Sequence, residues 1–62
     1  MPISGRDLRV ERTSAYVTVT ALAARMGLSR QAIWALERSA VVKTARAEQY
    51  RQALRDAIET AA

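Results

Sequence analysis

Three helix-start signals fall within the first thirty residues, and their spacing commits the chain to short helices. Ser4, Thr18 and Ser29 are favourable N-cap residues. Each has an apolar residue just before it and another four positions after it: Ile3 with Leu8, Val17 with Leu22, Leu28 with Ile33. Such pairs staple the incoming chain to the first helical turn, and Asp7, three residues after Ser4, completes a capping-box pattern. Gly27 stands between the second and third signals, where a helix C-terminus needs a residue that tolerates positive φ. The pattern predicts helices over about 5–14, 19–26 and 30–38. Beyond a connector at 39–43, Thr44 is read as the cap of a fourth, longer helix over about 45–60. Its apolar stripe is Ala47, Tyr50, Ala53, Leu54, Ala57 and Ile58, at helical spacing. The last three residues are expected to fray.

A chain of 62 residues has room for one domain with a small core. Half the residues are hydrophobic but Phe is absent, so that core must be aliphatic and alanine-rich, a composition that suits helices. The expected fold is all-α: a single four-helix domain over 1–62 with a long C-terminal helix. Cys and His are both absent, which removes disulfides, thiolate nucleophiles, Cys-based zinc sites and the commonest general base. No carboxylate pair is placed in a plausible cleft. The chain is therefore expected not to be an enzyme and to need no cofactor, metal or small-molecule substrate. No apolar run approaches membrane-spanning length and no signal-peptide pattern opens the chain, so a cytoplasmic protein without a membrane partner is expected.

Ten Lys and Arg stand against six Asp and Glu, for a net charge of +4, and nine of the ten cations are Arg. Arg carries a permanent charge on a rigid donor fork that matches phosphates and guanine edges. The balance favours a nucleic acid over an acidic protein as partner. Arg6, Arg9 and Arg12 occupy polar positions of the first helix.

Residues 19–38 carry the sharpest pattern. Two short helices crossing steeply need a small residue at their closest approach, a positive-φ residue in the turn and apolar inner faces. Ala23, Gly27 and the set Leu22, Met26, Leu28, Ile33 and Leu36 supply these at the spacing of a helix-turn-helix. Leu8-Arg9, Leu22-Ala23, Met26-Gly27-Leu28-Ser29-Arg30-Gln31 and Leu36-Glu37 together resemble the lambda-repressor-like, Cro-type helix-turn-helix family, over residues 5–38. The resemblance implies that the third helix is a recognition helix lying in the major groove. It assigns base reading to Arg30, Gln31 and Ala35, with Ala32 and Trp34 close by. The chemistry is sensible on its own: Arg can bond guanine O6 and N7, Gln can bond adenine N6 and N7, and Ala can pack on a thymine methyl. Phosphate contacts are expected from Thr18, the backbone N–H of Val19, Ser29, Arg38 and Lys43, whereas Arg46 is read as a solvated charge. Arg12 and Glu37 match positions that form a partly buried ion pair in the family.

Two departures stand out. Val19 occupies a position where the family commonly has Gln. Tyr16 stands where it often has Gly, so the turn after the first helix is expected to be built differently, with Tyr16 packed across it. After Glu37 the match fades. The expected function is sequence-specific binding of double-stranded DNA, as a repressor or similar regulator of a phage, plasmid or other mobile element, in a bacterial cytoplasm and at its nucleoid. The alternative is a protein-interaction module built on the same helices. One such module reads only a few base pairs. A homodimer is therefore expected, with Val41, Val42, Tyr50, Leu54 and Ile58 as its interface.

Overall fold

A computed structural model describes residues 2–61. Four helices follow one another: α1 (Gly5–Ser14), α2 (Val19–Met26), α3 (Arg30–Arg38) and α4 (Thr44–Ala61). The first three starts are built by the capping residues. Ser4 accepts a hydrogen bond from the Asp7 N–H, Thr18 from Ala21 and Ser29 from Ala32, at 3.1–3.2 Å. The fourth start differs from expectation. Thr44 is already helical, and the Lys43 carbonyl accepts the first intrahelical bond, from Ala47 at 2.9 Å. Tertiary pairing explains the shift. Val42 is held extended by an isolated antiparallel bridge to Ile3, its N–H donating to the Ile3 carbonyl at 2.7 Å, and the helix begins as soon as that bridge releases the chain.

α1 and α2 each pack against both α3 and α4. Leu8, Leu22, Ala23, Ile33, Val42, Ala47, Tyr50, Ala53 and Leu54 form the buried core, bordered by the half-buried Ile3, Val17, Val19, Met26, Leu28 and Leu36. The N-terminal residues are tied down twice, at Ile3 and where the Gly5 N–H donates to the Ser39 carbonyl at 2.8 Å. Gly5 sits where α1 crosses the end of α3. A Cβ at this position would collide with the Leu36 and Glu37 backbone, so the helices approach closely only because a side chain is missing.

The apolar stripe of α4 lies inward rather than outward. Tyr50 is wholly buried and Leu54 nearly so, and Val42 is buried from the connector. The expected dimer surface is thereby corrected: these three side chains close the core of their own chain. The first three helices contribute only Leu8, Leu22, Ala23 and Ile33 to the buried core, and Tyr50 and Leu54 of α4 complete it. Of the expected interface, Val41 and Ile58 alone are exposed, at 64% and 44%.

Two helices end on left-handed residues. Gly27 has φ 68°, and Leu28 N–H bonds the Ala23 carbonyl at 3.0 Å across it. At the end of α1 the same six-to-one closure runs from Val17 N–H to the Arg12 carbonyl at 3.2 Å, but the left-handed residue is Tyr16, with φ 59°. The expectation for this turn is corrected in both parts. It is built as a glycine would build it, and Tyr16 does not pack across it but stands 93% exposed. A left-handed conformation costs a residue with a Cβ about 1–2 kcal/mol.

These two turns predict substitutions of opposite sign. Tyr16→Gly removes the strain without losing buried surface, against about 0.5–1 kcal/mol of added chain entropy, and should raise the melting temperature by a few degrees. Gly27→Val has open space around it but the wrong backbone, and should cost more than about 1 kcal/mol. Urea unfolding of both variants checks the pair, and a Tyr16→Gly protein less stable than its parent would refute the strain argument.

Candidate functional site

α3 places its residues by its 3.6-residue period. Ile33 and Glu37 point inward and are buried, and Leu36 is half-buried beside them. Arg30, Gln31, Trp34, Ala35 and Arg38 are exposed. Gln31, Ala35 and Arg38, at i, i+4 and i+7, follow one line along the helix. The flanks differ. Ala32 is half-buried and borders a depression with Leu28, Ala35, Leu36, Ser39 and Arg46. Trp34, 44% exposed, lies on the other flank, facing α1 in a groove lined by Arg6, Arg9 and Arg38.

α2 presents its N-terminus through Thr18. The hydroxyl oxygen already accepts the Ala21 N–H, which leaves the O–H free to donate, and the first N–H groups, at Val19 and Thr20, have no acceptor within the helix. Ser29 does the same at α3, accepting from Ala32. The Lys43 side chain is exposed beside the start of α4. The side chains named for phosphate contact are thus at the surface, whereas Val19 has only its backbone to offer because its side chain packs on the core.

The orientation of α3 is fixed by one buried carboxylate. Glu37 accepts two bonds from Arg12, from Nε at 2.7 Å and from Nη2 at 3.1 Å, and a third from the Tyr50 hydroxyl at 2.6 Å. Arg12 spends its remaining nitrogen, Nη1, on the Val17 carbonyl at 2.9 Å, in the turn leading to α2. One network therefore joins α1, the α1–α2 turn, α3 and α4. No buried side-chain nitrogen or oxygen among the described residues lacks a partner, so the network is closed. The hydrogen bond to Glu37 raises the Arg12 pKa above its usual value against the opposing effect of burial. Burial first, and then the bond to Glu37, pushes the Tyr50 phenol well above its ordinary range. Both groups stay protonated at any physiological pH.

Tyr50 is the member that sequence reasoning misplaced, as a dimer contact. Its position on the α4 stripe marks it as apolar, and nothing local reveals that its hydroxyl finds an acceptor thirteen residues away. Gly5 and the pairing of Arg51 with Glu11 at 2.7 Å also went unread. That second pair is part-exposed on both sides and contributes little.

With the fold and its exposed face in place, the molecule is a small all-helical four-helix domain with no helix, among the described residues, long and apolar enough to cross a membrane. Comparison with family models, with curated proteins and with solved structures yields no match.

Removing one partner from the buried network should cost more than removing an exposed pair. Glu37→Ala strands the Arg12 guanidinium and should cost about 3–5 kcal/mol. Tyr50→Phe deletes one bond to a charged acceptor and should cost about 1.5–3 kcal/mol. Glu11→Ala should cost less than about 1 kcal/mol. Chemical denaturation of the three variants tests this order, and equal losses for Glu37→Ala and Glu11→Ala would contradict it.

Proposed function

We propose that this chain binds double-stranded DNA, with α2 and α3 forming a helix-turn-helix and α3 lying in the major groove. One observation carries the reading: the exposed face of α3 begins with Arg30 and Gln31, two side chains whose donors and acceptors match base edges, while the rest of the helix is locked from behind by Glu37. A recognition helix must be rigid, because base contacts tolerate little misplacement. The three-residue turn through Gly27 and the caps at Thr18 and Ser29 support the same reading. They set two helix N-termini, with free N–H and O–H donors, where phosphates would flank the groove.

The resemblance to Cro-type repressors extends the proposal to a role: a transcriptional repressor or related regulator of a mobile element, acting at the nucleoid. Two copies on a two-fold operator would double the number of bases read, with recognition helices about 34 Å apart. Val41 and Ile58 are the exposed apolar side chains available to such a pairing near α4. Sedimentation equilibrium with and without operator tests the dimer, and a monomer in both states would discard it.

Selection on random duplexes supplies the operator and tests the central proposal. Arg30→Ala and Gln31→Ala should each cost about 1–3 kcal/mol on the selected site and relax preference at one base pair. Recovery of no preferred sequence would overturn sequence-specific reading. A variant that weakens selected and random duplexes equally would reassign that residue to phosphate.

A further inference from the structure

Arg12 and Arg51 are committed to carboxylates, Glu37 and Glu11 respectively. Arg6, Arg9 and Arg38 have no carboxylate partner among the described residues, and all three line one groove between α1 and the C-terminal half of α3. The groove has a volume of about 340 Å³, with Trp34 in its wall and the buried Arg12–Glu37 pair also lining it.

The charge there is not an accident of a basic composition, because α1 is electrically two-sided. Asp7 and Glu11, one turn apart, belong to the side that faces α4: Glu11 binds Arg51, and Asp7 adds to the field that raises the Arg51 pKa. Arg6 and Arg9 lie on the side that faces α3. The one carboxylate at the groove, Glu37, already accepts from Arg12 and Tyr50. Three guanidinium groups therefore share a concave surface with nothing to neutralise them, which costs self-repulsion until an anion arrives.

The arrangement suits a linear polyanion. Arg6 and Arg9 follow one another along α1 with Cβ atoms about 5–6 Å apart, and Arg38 stands on the opposite wall. Arg38 also ends the line that runs through Gln31 and Ala35. A helix whose first residues reach base edges brings its last turn to the groove's rim, where the phosphates run.

We infer that the α1–α3 groove grips the phosphodiester backbone of the bound duplex through Arg6, Arg9 and Arg38, which makes α1 part of the DNA interface; the inference rests on the DNA-binding reading above. These contacts carry no sequence information and fix the register of α3. Trp34, the only tryptophan in the chain, stands in the groove wall and reports its occupation.

The test is the salt dependence of binding to two duplexes, one selected and one of random sequence, followed by the fluorescence of Trp34. Arg6→Ala/Arg9→Ala should lower affinity for both duplexes, by roughly tenfold per arginine at 0.1 M salt, and reduce the slope of log K against log salt by about 2. Arg6→Lys/Arg9→Lys should keep the slope, and Arg55→Ala, on the exposed face of α4, should leave both quantities unchanged. Both arginines are exposed, so no variant should melt below the parent, and the double alanine variant, relieved of like-charge repulsion, should melt at the parent's temperature or slightly above it. DNA binding with an unaltered slope in the double alanine variant would overturn the grip and leave the major-groove reading standing. A parent chain that binds neither duplex would overturn both.

Discussion

The structure depends on a single carboxylate. Glu37 is buried near the end of α3, and an unpaired charge there would be prohibitively expensive. Arg12 and Tyr50 relieve it with three hydrogen bonds, and Arg12 extends the network to the α1–α2 turn. A buried ion pair is a poor source of net stability, because desolvation offsets most of the attraction. What it provides is geometry. Its bonds are directional, so α3 has one orientation relative to α1 and α4, and the non-directional burial of aliphatic side chains alone would not impose that. Where Gly5 lets α1 meet the α3 backbone, the same end of α3 is fixed sterically as well.

Stability is distributed unevenly around this network. The core is small, made of a few leucine, isoleucine, valine and alanine side chains and one aromatic ring, so each large residue matters more than in a bigger domain. Tyr50 combines the two requirements, filling volume with its ring and satisfying Glu37 with its hydroxyl. Against this the chain tolerates a strained Tyr16 at a solvent-exposed turn, where no contact repays the left-handed backbone. Backbone strain of this kind persists only where the surrounding structure over-determines it. Here the Arg12 side chain and the six-to-one hydrogen bond pin Val17, just after the turn, to Arg12 through both its carbonyl and its N–H.

Inside and outside of α3 divide the work. The inner face is spent on the core and on Glu37, so the outer face is free to carry side chains chosen for something other than folding. Charge follows the same division on α1, acidic toward α4 and basic toward α3. The result is a basic, concave and rigidly supported surface, and these properties together underlie the proposed DNA interface.

Much of this was legible along the chain, and the boundary between legible and hidden has a physical cause. Ser4, Thr18, Ser29 and Gly27 act on neighbours within four or five residues, so the first three helices and the sharp turn between α2 and α3 could be read directly. The exposed face of α3 followed from its period, and the partnership of Arg12 with Glu37 from a resemblance rather than from local chemistry. Tertiary structure alone decided which way the α4 stripe faces, that Tyr50 joins Glu37, that Val42 pairs with Ile3 and the helix after it starts at Thr44, one residue before the expected start, and that Arg6, Arg9 and Arg38 share one groove. Local hydrogen bonds and backbone preferences are encoded in adjacent residues. A side chain's distant partner is chosen only when packing brings separate helices together, and so it leaves no mark in the residues beside it.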